Sequence, residues 1–150
     1  MNLIRIFVLG ALAVSSLTAV AADPAIPKDT RQAVSMPPLQ RALIREDMLH
    51  HLVAFNEVLG LLNAGKLKEA AEVAERDMGV SSMGKHAAHT QGMGPGRFMP
   101  NEMRAVGIGM HKAASEFAEV AKKGDREAAY KALESVTGAC VACHAGYRLK

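Results

Sequence analysis

The sequence predicts an all-α protein, an antiparallel up-and-down four-helix bundle. Three observations support this class. Apolar residues recur at steps of three and four in four separate segments, two of the connections between these segments are short and contain glycine, and no segment shows a convincing strand pattern. Amphipathic helices joined in this way pack together and bury one shared core. The chain of 150 residues is long enough for one such domain.

The N-terminus has the features of an export signal. Arg5 supplies a short basic region, the apolar run Ile6–Val14 follows it, and an Ala-Val-Ala cleavage pattern ends the segment. The apolar run is shorter than a helix that spans a bilayer. We therefore predict a signal peptide over residues 1–22, cleaved after Ala21 or Ala22, and a periplasmic protein with no membrane span after cleavage.

An extended lead over residues 23–36 is predicted to precede the bundle domain, which spans residues 37–150. The first helix opens at Pro37 and Pro38, because proline is tolerated in the first turn of a helix. It ends at Gly65, a residue typical of helix C-termini. Its expected inward stripe comprises Ile44, Met48, Leu52, Phe55, Leu59 and Leu62.

The second predicted helix runs from Lys66 to about Asp77 and carries small residues on its inner face. Small side chains allow a neighbouring helix to approach closely. A long loop from Met78 to Pro100 follows, with one helical turn expected around Lys85–His89. Loops of this length in compact domains are often functional. The inward residues of the second helix are Leu67, Ala70, Ala71 and Ala74.

Asn101 is predicted to cap the third helix, which ends at Lys122, Lys123 and Gly124. Its expected stripe comprises Met103, Val106, Met110, Ala114, Phe117, Val120 and Ala121. Asp125 is predicted to cap the fourth helix. On that helix, one face carries Leu133, Val136, Cys140 and His144.

The fourth helix ends in the motif Cys-x-x-Cys-His, formed by Cys140, Cys143 and His144. This pattern is typical of c-type haem attachment. Two thiols one helical turn apart can add to the two vinyl groups of one haem, and the following histidine reaches the iron from the same face. A redox dithiol would favour a neighbouring βαβ pattern, and a zinc site would need a second ligand pair. The motif therefore predicts one covalently bound haem c with His144 as the proximal ligand.

Composition and charge narrow the function further. The formal net charge of +3 gives no argument for a nucleic-acid partner. Both cysteines of the chain lie in the haem motif, so no structural disulfide is expected. Neither a nucleophile–base arrangement nor a pair of catalytic carboxylates stands out. We therefore expect a haem protein rather than an enzyme.

The chain resembles the cytochrome c′ superfamily in its C-terminal motif. The family pattern is C-x-x-C-H-x-x-Y-[RK] on the fourth helix of a bundle, and the resemblance covers about residues 37–150. It implies one of two functions, depending on the distal side of the haem. The matching residues are Cys140, Cys143, His144, Tyr147 and Arg148.

The distal ligand distinguishes the two branches that the resemblance implies. In one branch a methionine of the first helix is the sixth iron ligand and the protein carries electrons, whereas in the other the iron is five-coordinate and binds NO or CO. Met48 lies on the inward stripe of the first helix, at the end expected beside His144, so it is the first candidate. His51 would give bis-histidine ligation, and Leu52 or Met48 merely covering the iron would leave it five-coordinate.

The preferred prediction is therefore a monohaem electron carrier with axial ligands Met48 and His144, and gas binding is the alternative. We expect redox proteins of the periplasm as partners, and the chain as a monomer or homodimer. Tyr147 is expected to pack against the haem, and Arg148 to pair with a propionate or to remain solvated.

The loop between the second and third helices suggests a further alternative, a metal-handling function. His86 and His89 are three residues apart and would share one face of a helical turn. Imidazole and thioether groups are ligands for Cu(I) and related metals, although the loop contains no tight metal-binding motif. The other soft or borderline donors nearby are Met83, Met93, Met99 and His111.

Overall fold

The computed structural model describes residues 26–150, so the predicted signal peptide and its cleavage after Ala21 or Ala22 lie outside the described residues. The described part is mainly helical, which confirms the all-α class. The longer elements are β1 (Gln32–Val34), α1 (Pro38–Asn63), α2 (Leu67–Met78), the single turn α3 (Ala87–Thr90), α4 (Asn101–Lys122), α5 (Arg126–Gly146) and β2 (Tyr147–Leu149). None of the helices within residues 26–150 is long and apolar enough to cross a bilayer.

Two short strands correct the expectation that the chain contains none. Gln32–Val34 pairs in parallel with Tyr147–Leu149, with Val34 opposite Leu149. Each strand has only three residues, which is too short for an alternating pattern to stand out in the sequence. This pairing fastens the segment before α1 to the end of α5.

The helix ends follow local chemistry, with one correction. Gly65 ends the turn after α1 in the left-handed region at φ +76°, and Asp125 caps α5 by accepting a hydrogen bond from the Ala128 amide at 3.0 Å. Asn101, predicted as the cap of α4, is instead its first residue, and Pro100 occupies the cap position with no side-chain hydrogen bond. Proline before the first turn already fixes the backbone for helix entry.

The main core lies between α1, α2, α4 and α5. The sequence-adjacent pairs α1–α2 and α4–α5 pack together, and α2 packs against α4. The predicted inner face of α2 is buried as expected, with Ala70, Ala71 and Ala74 fully inaccessible to solvent. Their small side chains allow α2 to approach both neighbours closely. The largest fully buried side chains are Phe117, Leu62, Met78, Val58 and Val136.

A second, smaller core cluster lies where the segment around β1 meets the C-terminus. Val34 and Met36 are buried there with Ile44 of α1 and Met103 of α4. Cys143 and Tyr147 pack against the same cluster, as do Phe98, Met99 and Leu149. The haem motif is therefore held at one end of the molecule by residues from both ends of the described chain.

The inward stripe of α1 differs from its prediction. Ile44 and Leu62 are buried as expected, but the Met48 side chain is 38 % exposed and that of Leu52 is 65 % exposed. Ala54 and Val58 lie in the core instead. The core-facing side of α1 is therefore rotated away from Met48 and Leu52, which lie on its flank.

Candidate functional site

The predicted attachment motif lies on the last two turns of α5. Cys140 is exposed and Cys143 is half-buried, and both are free thiols. The Sγ–H of Cys140 donates to the carbonyl of Val136 at 3.3 Å. Partial burial raises the pKa of both thiols, and the proximity of Cys140 raises that of Cys143 further. His144 follows, exposed to solvent, so the structure leaves both sulfurs and the imidazole accessible.

One flank of α5 faces α1. Tyr130, Thr137, Val141 and His144 follow one another at steps of seven, four and three, and side chains at these steps line one side of a helix. The hydroxyl of Tyr130 donates to Oδ1 of Asn63, at the end of α1, at 2.8 Å. Beyond that contact the flank stays open, and Val141 is 66 % exposed.

The matching flank of α1 faces α5. It runs through Arg41, Met48, Leu52, Leu59 and Asn63, again at helical steps. Asn63 meets Tyr130 at one end, and Arg41 at the other end donates to the backbone carbonyl of Lys150. One contact therefore links α1 to α5 and another links α1 to Lys150 after β2, and the exposed side chains of Met48 and Leu52 lie on α1 between these two contacts.

The residues present on these flanks fit a c-type haem. Two accessible thiols one turn apart, followed by an imidazole on the same face, form the donor set that covalent attachment needs. Opposite them, Met48 and Leu52 present a thioether and an apolar surface that a flat macrocycle would remove from water. Exposed apolar side chains on these flanks are compatible with a cofactor site, although Leu39, Leu49 and Val53 of α1 are also exposed elsewhere on the helix.

Met48 also borders a cavity of about 360 Å³. This cavity lies between α1, α4 and the segment 82–99, and we call it the Met/His cavity. Cys140, Cys143 and His144 do not line it. The structure thus brings Met48 to the flank that faces α5, but it does not bring Met48 and His144 into one cavity. Ligation of iron by Met48 stays a prediction.

Tyr147 and Arg148 lie beside the motif in β2. Tyr147 is half-buried and packs against the smaller core cluster. Nε of Arg148 lies 3.3 Å from Oδ2 of Asp29, a partner that the sequence analysis did not single out. Arg31 pairs with the same carboxylate at 2.8 Å and lowers the pKa of Asp29 to about 2. Arg31 also approaches the His144 carbonyl at 3.5 Å, so these charges surround the end of the motif.

The two histidines suggested as a second metal site, His86 and His89, have different surroundings. Nε2 of His86 lies 2.8 Å from Oδ1 of Asp47, which Lys85 also approaches at 2.7 Å. His86 borders the Met/His cavity, whereas His89 is exposed and does not. Within residues 26–150, no group of three or more His, Cys, Asp or Glu side chains is arranged to hold a metal ion.

A histidine pair across two helices was missed by the sequence analysis. The rings of His51 on α1 and His111 on α4 meet edge to face, with centroids 5.6 Å apart. Burial and the proximity of His111 lower the pKa of His51 to about 4. Nδ1 of His111 lies 2.8 Å from the Met78 carbonyl. The only sign of this pair in the sequence was the position of each histidine on its own predicted helix, since no sequence motif links His51 to His111.

Comparison with known families gives a match in the C-terminal part of the chain. A family described as Cytochrome C' matches residues 99–148, a span that includes α4, α5 and the Cys-x-x-Cys-His motif. No curated protein and no solved structure matches the chain.

Proposed function

We propose that this chain, a member of the cytochrome c′ superfamily, carries single electrons on one haem c held by Cys140 and Cys143. His144 is the proximal ligand and Met48 the distal one. The helices form an antiparallel up-and-down bundle, and the protein works in the periplasm after its signal peptide is removed. Its partners are redox proteins, which it meets as a monomer or homodimer.

The pair of facing flanks is the observation that carries this proposal. Tyr130 near the start of α5 contacts Asn63 at the end of α1, and Arg41 near the start of α1 contacts Lys150, which follows α5 and β2, as expected of an antiparallel pair. The level of α1 that carries Met48 then corresponds to the level of α5 that carries His144. A thioether and an imidazole on opposite sides of one iron give Met/His coordination, which raises the reduction potential.

The exposed residues of the motif favour electron transfer to a partner protein. When bound, haem iron supplies a one-electron couple. Val141 and Cys140 lie on the surface of α5, so a macrocycle attached there keeps one edge near solvent. Met48 would supply the second protein ligand to the iron, and Leu52 on the same flank would exclude water from that side of the haem. A partner needs only brief contact with the exposed edge.

Gas binding is the second candidate, and the Met/His cavity favours it. The cavity reaches the side chain of Met48, the residue proposed for the distal position. Its volume of about 360 Å³ gives Met48 space to swing aside and gives a diatomic molecule space to enter. In that case His144 is the sole strong protein ligand, and Met48 only covers the distal face.

The visible absorption spectrum of the purified holoprotein, oxidised and reduced, with and without CO, separates the two candidates. Met48 ligation predicts sharp reduced α and β bands, a weak oxidised charge-transfer band from methionine–iron bonding, and no shift with CO. A broad high-spin spectrum that shifts with CO would instead assign the protein to gas binding.

Substitution of Met48 is the sharper form of this test. Met48→Ala should abolish the methionine–iron band, make the reduced haem bind CO and lower the reduction potential, because the thioether ligand is lost. Met93→Ala removes an exposed methionine of the loop that does not line the Met/His cavity, and it should leave all three properties unchanged. An unchanged spectrum in Met48→Ala would exclude Met48 as the ligand.

A further inference from the structure

The Met/His cavity concentrates soft and borderline metal ligands outside the haem motif. Three imidazoles and several thioethers border it, contributed by α1, α4 and the segment between α2 and α4. This composition differs from that of a purely structural void, which is lined by aliphatic side chains. Besides Met48, the histidines and methionines that border the cavity are His51, His86, His111, Met83, Met99 and Met110.

The separation of His51 and His111 matches two ligands of one metal ion. Imidazole nitrogens bind metals at about 2.0–2.1 Å, which puts the centroids of two rings that share one ion about 5–6 Å apart. The observed distance between the two centroids is 5.6 Å. The separation of the two rings is therefore compatible with joint coordination, as it is with edge-to-face packing.

The hydrogen bond of His111 determines which of its nitrogens is free. The Met78 carbonyl can only accept, so Nδ1 of His111 must carry the proton at their 2.8 Å contact. Nε2 then keeps its lone pair. A backbone carbonyl that orients a histidine in this way is the usual support of a metal ligand.

The charges around the cavity select the class of metal. The carboxylate of Asp47 is already engaged by Lys85 and His86, and Arg97 and Arg104 add positive charge to the lining. Asp47 also borders the cavity, and with its charge offset by Lys85 and His86 the positive neighbours disfavour a divalent ion more than a monovalent one. The thioether and imidazole groups of the lining suit a soft monovalent ion such as Cu(I).

We propose that His51, His111 and the thioether of Met83 bind one Cu(I) ion in the Met/His cavity. Met83 borders the same cavity as His51 and His111, and it follows Ser82, whose hydroxyl lies 3.4 Å from Nδ1 of His111. The third ligand completes a trigonal site. Met48 is not part of it, and the proposal holds whether Met48 binds the haem iron or not.

Equilibrium dialysis of the reduced holoprotein against Cu(I), under anaerobic conditions, tests this site. Copper and iron are then measured by mass spectrometry, with the haem iron as the internal standard. We expect one copper per iron in the native protein. His111→Gln and Met83→Leu should each weaken copper binding at least about tenfold, because each removes a ligand.

The control is His89→Gln, which changes an exposed histidine of the same loop that does not border the cavity. It should bind copper as the native protein does. Copper binding that persists in His51→Gln with an unchanged haem spectrum, or its absence in the native protein, would overturn the proposal. Absence of copper binding in the native protein would leave edge-to-face packing as the role of His51 and His111. A changed haem spectrum in His51→Gln would instead make His51 a haem ligand and also overturn it.

Discussion

His51 is a buried histidine whose lowered pKa makes stability depend on pH. Its pKa falls from 6.5 to about 4 because burial and the nearby His111 disfavour the charged form. Asp47, which favours that form, and Lys85 and His50, which disfavour it, also face this ring. The unfolded chain therefore binds the proton at higher pH than the folded chain does. The contribution of His51 is fully present above pH 6.5 and is lost as the pH falls toward 4.

We expect the holoprotein to lose about 1–2 kcal/mol of unfolding free energy through His51 between pH 7 and pH 4.5, after allowance for solvent screening of its exposed part. Urea unfolding at the two pH values measures this loss. His51→Gln should reduce the difference, whereas His50→Gln, at an exposed neighbouring position, should preserve it. An equal pH dependence in His51→Gln and the native protein would contradict this assignment.

The roles of individual residues can be predicted from the sequence where chemistry fixes their spacing along the chain, and for the Cys-x-x-Cys-His motif those roles stay predictions. Cys140, Cys143 and His144 follow from covalent attachment, which needs two thiols one turn apart and an adjacent imidazole. The pair of His51 and His111 depends instead on two helices meeting in space. Sequence spacing carries no trace of such a pair, and the same holds for the ion pair of Arg148 with Asp29.

At the scale of elements, α1 shows why apolar periodicity predicted the helix itself better than it predicted which face of the helix packs against the core. The predicted stripe joined Ile44, which packs on the protein, with Met48 and Leu52, which lie on the open flank. Both groups are apolar and have helical spacing, so the sequence pattern cannot separate a core face from a face that covers a cofactor. The contacts of Arg41 and Asn63 with the C-terminal helix and its end make that distinction.

The strand β1 gives an element-scale prediction about the C-terminus of the molecule. Val34 is 4 % exposed and packs in the cluster that includes Cys143 and Tyr147. Val34→Ala should lower the unfolding free energy by about 1–3 kcal/mol through loss of packing. It should also speed hydrogen exchange in β2, because the Lys150 amide donates to the Val34 carbonyl at 3.0 Å beside that strand.

The matched control for this change is Ile26→Ala, since Ile26 belongs to the same lead but is 93 % exposed. It should alter neither the urea midpoint nor the exchange of the β2 amides. If Val34→Ala behaved like Ile26→Ala, the pairing of β1 with β2 would not hold the haem motif in place.

At the scale of the whole molecule, two groups of apolar contacts hold the bundle together. The larger core lies among the four long helices, and the smaller cluster joins the start of the described chain to its end. The flanks of α1 and α5 add a third apolar region, which the protein itself leaves exposed. If the proposed haem binds between these flanks, it covers this third region and so completes the packing of the bundle.

Loss of covalent attachment should therefore destabilise the molecule as a whole. In a Cys140→Ala, Cys143→Ala protein the haem is no longer held, so Met48, Leu52 and Val141 remain in contact with water. We expect the thermal midpoint to fall by on the order of 10 °C, as for a loss of about 3 kcal/mol, and binding of an apolar dye to increase. Calorimetry and dye fluorescence measure the two effects.

Ala142→Ser is the control for this comparison, because it changes an exposed residue inside the motif and keeps both cysteines. It should retain the haem, the native thermal midpoint and low dye binding. An equal midpoint in the double-alanine protein would mean that α1 and α5 close on each other without the cofactor. In that case the exposed side chains on the flanks of α1 and α5 would not indicate a cofactor site. The stability of the bundle would then come entirely from its two protein cores.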